Sequence, residues 1–165
     1  MICEHLDKVG IRYSLYTHEA VYTIDDVKNA KLSIPGIGTK NLFLKDKTNK
    51  CFVLFISEDD KKVDLKKLAS KIGSRHLSFA SAQELSECMG LELGYVGPLG
   101  VVNDRDCRVK VVFDTNIEGK EKLNVSANSH TVTLTIDYCD LCKFIEIEGN
   151  KFTVVSLDEQ IIIND

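Results

Sequence analysis

Thr39-Lys40-Asn41-Leu42-Phe43-Leu44-Lys45, then Asp46-Lys47-Thr48-Asn49-Lys50, then Cys51-Phe52-Val53-Leu54-Phe55-Ile56-Ser57 is the most informative stretch of this chain. Two apolar-rich runs of strand length flank five polar residues with hairpin-loop chemistry, which predicts a β-hairpin. Downstream, Asp64 is placed to cap a helix whose Leu65, Leu68, Ala69 and Ile72 share one face, and Gly73 ends it. Leu77 and Phe79 suggest a short strand. Ser81-x-x-Glu84 is a capping box for a helix running to Met89. A loop rich in glycine follows (Gly90, Gly94, Gly97, Pro98, Gly100), and then strands near Val101, from Arg108 to Asp114, from Lys122 to Ser126 and from Thr131 to Ile136. A helix capped by Asp137 and a strand from Phe152 to Ser156 close the pattern. Upstream, Ile2, Leu6 and Val9 predict a short first helix ending at Gly10, and the alternation around Tyr13 and Tyr16 a strand from Arg12 to Thr17. Thr23 and Asp26 open a second helix through Lys31, and Ser33 to Gly38 reads as a loop. Helices interspersed with short strands, some paired as hairpins, predict an α+β fold with a mixed β-sheet flanked by helices. With no linker, repeat or low-complexity segment, one domain over residues 1–165 is expected.

Composition narrows the function classes. Of 165 residues, 44% are hydrophobic and 28% charged, which is enough for a core and excludes a disordered chain. Twenty-one Lys and Arg against 25 Asp and Glu give a net charge of −4, so no global positive field draws the chain to DNA or anionic membrane. The first ten residues include Glu4 and Asp7 and lack a secretory h-region, and every apolar run is far below the ~20 residues of a membrane helix. A cytoplasmic protein with no membrane association is expected. The six dispersed cysteines then read as free thiols. Cys139-x-x-Cys142 has no second pair at zinc spacing and falls within a predicted helix, so ordinary packing around Leu141 outweighs a zinc or redox role.

Candidate chemistry concentrates in three loops, 35–40, 94–100 and 127–130. Lys40 follows Gly36-x-Gly38 and precedes Leu42-Phe43-Leu44, so its amine emerges at the start of a buried strand. There it could clamp a phosphate or carbonyl, with Asn41 beside it as donor and acceptor, or simply be solvated. The Gly-x-Gly leads into a strand and is no dinucleotide fingerprint. Gly94 to Gly100 permits close backbone approach and offers amides, or is a tight connection. His18, His76 and His130 are acid/base candidates only if they meet in space. No phosphate loop, nucleophile elbow or metal motif is present, so no cofactor and no metal are expected. Lys67, Lys71 and Arg75, at four-residue spacing in a Lys-rich segment, form a candidate phosphate-backbone stripe competing with an ordinary solvated helix face.

His18-x-Ala20-Val21-Tyr22-Thr23, Lys40-Asn41-Leu42-Phe43-Leu44-Lys45-Asp46, Gly94-x-Val96-x-Pro98 and Asn103-Asp104 together resemble the prolyl-tRNA editing domain family, the YbaK-like aminoacyl-tRNA deacylases, over nearly the whole chain. The branch it most resembles is that of free-standing deacylases that remove alanine from mischarged tRNA(Pro), similar to prolyl-tRNA synthetase-associated domain-containing proteins. The resemblance implies a mixed α+β editing fold and an aminoacyl-ester hydrolase. Lys40 matches the lysine on which editing depends, and the Gly-x-x-x-Pro loop matches the one that lies against the aminoacyl end. The implied site has Lys40 and Asn41 acting on the ester, and His18, Gly94, Val96, Gly97, Pro98, Gly100 and His130 contacting substrate. Lys67, Lys71 and Arg75 would meet the tRNA, water would be the nucleophile, and the implied partners are mischarged tRNA(Pro) and prolyl-tRNA synthetase. Where the family usually carries His-Pro and then an Asn, this chain has Ser126-Ala127 and His130. That departure leaves open editing of another amino acid such as cysteine or serine, or a non-catalytic aminoacyl-tRNA or amino-acid binding module. The chemical need is clear: a synthetase pocket sized for proline cannot strongly exclude alanine, since each missing methylene costs only ~1–3 kcal/mol.

Overall fold

The hairpin forms as its sequence dictates. In the computed structural model, which describes residues 1–20, 23, 25–26 and 34–158, β2 (Ile37–Asp46) pairs antiparallel with β3 (Cys51–Glu58). Asp46 organises the turn, its carboxylate accepting from the backbone N–H groups of Thr48 and Asn49, while Lys50 takes the left-handed conformation. Around this pair assembles an eight-stranded mixed sheet. Its order is β1 (Ser14–Thr17), β7 (Val132–Ile136), β6 (Leu123–Ser126), β2, β3, β5 (Val109–Asp114), β8 (Phe152–Val155), with β4 (Leu77–Phe79) also on β2. The β2–β6, β3–β5 and β5–β8 pairs are parallel and the others antiparallel, so the expected α+β fold with a mixed sheet and flanking helices is what forms.

Alternation along the strands divides the interior into two cores. On one face, Phe43, Leu54, Ile56, Val111, Phe113, Leu123, Val125, Leu134 and Ile136 pack with α1 (Ile2–Lys8), α3 (Ala82–Met89) and α4 (Tyr138–Ile147), which contribute Leu6, Leu85, Met89, Leu141, Phe144 and Ile145. On the other, Leu44, Val53, Phe55 and Val112 pack under α2 (Leu65–Ile72) through Leu68 and Ala69. The capping residues read from the sequence act as expected. Asp64 accepts from the N–H groups of Lys66 and Lys67, Ser81 and Glu84 form the full capping box, and Asp137 accepts from the Cys139 N–H.

Two expectations are corrected. Val101 lies in a 3-10 helix, Pro98–Asn103, and not in a strand: Pro98 starts it, and Leu99, Gly100 and Val101 are buried against the main core. Gly100 fits there because a Cβ would stand 2.5 Å from Leu91 Cδ1 and 2.7 Å from Met89 Cε. Arg75 does not share a helix face with Lys67 and Lys71, because Gly73 takes the left-handed conformation and ends α2, after which the Arg75 N–H bonds Thr48 Oγ1. Thr23 and Asp26 exchange capping hydrogen bonds at 3.0 Å each, and the rest of the helix expected through Lys31 lies outside the described residues.

Candidate functional site

The face covered by α2 is only half apolar. Register places Asn124 opposite Thr135 and Ser126 opposite Thr133, with Ser14 and Tyr16 beyond them on β1, all on the face that carries α2 further along the sheet. Gly38 pairs with Asn124 on this face, and Lys40 follows two residues later. Beyond Lys40 the same face becomes Leu42 and Leu44, under α2. Lys40 therefore stands at the boundary between a covered apolar half and a half lined by hydroxyl and amide groups.

Pairing between β2 and β6 stops after Gly38 and Asn124, so Lys40 and Ser126 stand on either side of a notch. Thr39 Oγ1 bridges its base by donating to the Asn124 carbonyl at 2.7 Å. Among the described residues the Lys40 ammonium donates one hydrogen bond, 2.7 Å to the Lys61 carbonyl, and carries two further N–H groups. Asn41 points to the other face, opposite Ile56. Its Nδ2 stands 3.5 Å from Thr39 Oγ1, and its buried Oδ1 has no partner among the described residues. The two residues expected to act side by side are thus separated by the strand's pleat.

The glycine loop meets the β6–β7 turn. Gly97 is buried, with its Cα facing Ser126, whose Cβ, N and O would lie 3.6–3.7 Å from an added Cβ. Tyr95 packs edge-on against the His130 ring at 4.3 Å, and Asn128 Nδ2 reaches the Leu99 carbonyl at 3.5 Å. Gly94 is exposed with φ 102°, Val96 is half-buried, and Pro98 and Gly100 are buried. Gly94, Tyr95 and Val96 are the accessible part of the loop. Its Tyr95 and Gly100 N–H groups are already spent on the Glu92 and Gly97 carbonyls.

His18 joins from the edge. Nδ1 lies 2.7 Å from the Glu19 carbonyl, to which only an N–H can bond, so Nε2 is the acceptor in the neutral ring, receiving the Thr133 hydroxyl at 2.9 Å. His76 is exposed at the far end of α2 and does not join His18 or His130. Lys67 and Lys71 are exposed on α2, and Arg75 is exposed beyond its end. Sequence reasoning missed Thr133 and Asn124 as site-lining groups: alternation from Ser126 along β6 would have found Asn124, whereas Thr133 is placed by the β6–β7 register. Cys139 is exposed and Cys142 half-buried, with burial pushing the Cys142 thiol up to about 11, and both are free. Among the described residues no helix is long and apolar enough to cross a membrane.

The mixed sheet thus sets the Lys40 cation at the edge of a half-face lined by Asn124, Ser126, Thr133 and Thr135. Residues 18–144 match the model of the aminoacyl-tRNA editing domain, and the chain belongs to that family. It is 39% identical over 152 residues to the prolyl-tRNA editing protein ProX of Acetoanaerobium sticklandii, covering 92% of this chain and 93% of that one. It is 36% identical over 95 residues to the multifunctional Ser/Thr-tRNA deacylase ProXp-y of Escherichia coli, covering 56% and 57%. A solved structure of a proposed trans-editing enzyme for prolyl-tRNA synthetase superposes with a TM-score of 0.71 at 18% identity, over 96% of this chain and 95% of that one, and shares the fold.

Proposed function

We propose that this protein is a trans-editing deacylase that hydrolyses the aminoacyl ester of mischarged tRNA(Pro), with alanyl-tRNA(Pro) as its principal substrate. The observation that carries this reading is the Lys40 ammonium, held by the Lys61 carbonyl at the boundary of the polar half with two N–H groups unspent among the described residues. The family and its ProX relative support it. Lys40 holds the ester carbonyl or the terminal ribose-phosphate, and the accessible loop residues Gly94 and Val96 close over the aminoacyl group beside His130. Gly97, Pro98 and Gly100 shape that loop from within, His18 lines the cleft through Thr133, and Asn41 supports the strand from its other face. Water adds to the carbonyl carbon. The ester C–O bond then breaks, the ribose oxygen takes the proton, and free amino acid and tRNA leave. Lys67, Lys71 and Arg75 engage tRNA phosphates, and prolyl-tRNA synthetase is the source of the mischarged substrate.

One observation favours a second substrate. Ser126 and Thr133 line the polar half, and one relative is a Ser/Thr-tRNA deacylase, so seryl-tRNA belongs in the same test. Deacylation of alanyl-, seryl-, cysteinyl- and prolyl-tRNA(Pro) is measured with the wild type and Lys40→Ala. Release of alanine that spares proline and falls by on the order of a hundredfold or more in the variant is the expected result. Preferential release of serine or cysteine would move the substrate. Binding of every aminoacyl-tRNA without turnover would make the protein a binding module.

A further inference from the structure

The turn that receives the Lys40 amine is anchored by a buried ion pair. Asp114, at the end of β5, is fully buried. Its Oδ1 accepts from the Asn116 N–H at 3.1 Å and the Thr115 hydroxyl at 3.4 Å. Its Oδ2 faces Lys61 Nζ at 2.6 Å, and among the described residues no other partner reaches it. A desolvated carboxylate is tolerable only with such a partner, so the Lys61 side chain is drawn inward and is itself only 15% exposed. Asp158 adds a second carboxylate oxygen at 3.2 Å. Burial works against the ammonium, yet the bonds to Asp114 and Asp158 outweigh it and hold its pKa above that of an ordinary lysine.

The backbone of the same residue faces the site. The Lys61 carbonyl accepts from Lys40 Nζ, while the Lys61 N–H bonds the Glu58 carbonyl at 3.2 Å, closing the turn. The turn is tied to β2 a second time, because the Asp59 N–H bonds the Gly38 carbonyl at 3.0 Å. The Asp59 carboxylate also lies over Gly38, where a Cβ would stand 2.3 Å from Oδ2.

We propose that Lys61 is a positioning residue for the editing reaction: clamped to buried Asp114, it fixes the 58–61 turn so that its carbonyl holds the Lys40 ammonium in one place at the edge of the polar half of the sheet. This rests on the reading that Lys40 acts on the ester. A flexible lysine has four side-chain torsions to order, and a preset hydrogen bond removes that cost before substrate arrives.

The test uses the full chain in four forms: wild type, Lys61→Met, Lys61→Arg and the double variant Lys61→Met with Asp114→Asn. Because Lys61→Met strands a buried carboxylate and threatens folding, the double variant, which removes that charge, carries the decisive comparison. Two quantities are read. The first is the side-chain ammonium signal of Lys40 in nitrogen-15 NMR, assigned by its loss in Lys40→Arg. The second is kcat and KM on the tRNA that the wild type deacylates. The expected result is a sharp, slowly exchanging Lys40 signal that broadens away in the folded double variant, with kcat down about tenfold or more, KM within about twofold, and both readouts restored largely by Lys61→Arg. A persistent signal, an unchanged kcat, or a loss carried only by KM would overturn the positioning role. A wild type that deacylates none of the aminoacyl-tRNAs fails the editing reading instead, and the NMR comparison still reports whether Lys61 holds Lys40.

Discussion

At the scale of single residues, Asp46 shows what burial asks of a carboxylate. It is 2% exposed at the end of β2 and accepts from the Thr48 and Asn49 N–H groups, the Asn49 amide at 2.7 Å and the Ser74 hydroxyl at 2.7 Å. Burial raises its pKa, but the hydrogen bonds from Asn49, Ser74 and Thr48 outweigh it and bring the carboxyl below the ordinary value. A lowered folded pKa means stability that is present above the unfolded value, about 3.9, and lost as pH falls through the folded one. Asp46→Ala should therefore cost about 1–3 kcal/mol at pH 7, since it leaves Ser74 and two turn N–H groups without their acceptor. In urea unfolding the gap to wild type should narrow when the pH is taken to 3. An equal gap at both values would mean that the ionised carboxylate contributes nothing special. Lys40 and Asn41 show the limit of reading residues singly: adjacent in sequence, they serve opposite faces, and period-two alternation already contained that fact.

At the scale of elements, what was local in sequence was legible. The β2–β3 hairpin, the Asp64, Ser81 and Asp137 caps and the Gly73 stop each follow from residues a few positions apart. The 3-10 helix at Pro98 was not, because Val101-Val102 after a glycine loop has the composition of a strand and only Pro98 at the first turn argues otherwise. Arg75 was carried past the end of α2 by spacing alone. The Lys61–Asp114 pair was invisible for a different reason: it joins a lysine within a run of cations to an acid ending a distant strand, and only the β3–β5 pairing brings them together. α2 offers a direct check on the local reading. Asp64→Ala removes the acceptor for the Lys66 and Lys67 N–H groups and should destabilise by about 1 kcal/mol, while Asp64→Asn should stay within a few tenths of wild type. Equal urea midpoints for Asp64→Ala and wild type would show that the cap bonds are replaced by water at no cost.

At the scale of the whole molecule, a chain with a net charge of −4 and a pI near 5.6 must meet a polyanion through a local set of cations. The exposed Lys67 and Lys71 lie on α2, the helix that covers the far half of the Lys40 face, and exposed Arg75 follows just past its end. A tRNA whose 3′ end enters the notch would thus have these side chains beneath its adjoining phosphates, while the −4 background repels the rest. Each phosphate neutralised contributes roughly −0.7 to −0.9 to the slope of log affinity against log salt, so three contacts predict a slope of about −2 to −3 for tRNA binding. Lys67→Ala with Lys71→Ala should flatten it to about −1 and weaken binding to all aminoacyl-tRNAs alike, leaving the choice between alanine and proline to the notch. A salt titration of binding measures both slopes. A wild-type slope near zero would remove α2 from the interface, and affinity would then have to come from the terminal adenosine and the aminoacyl group within the Lys40 notch.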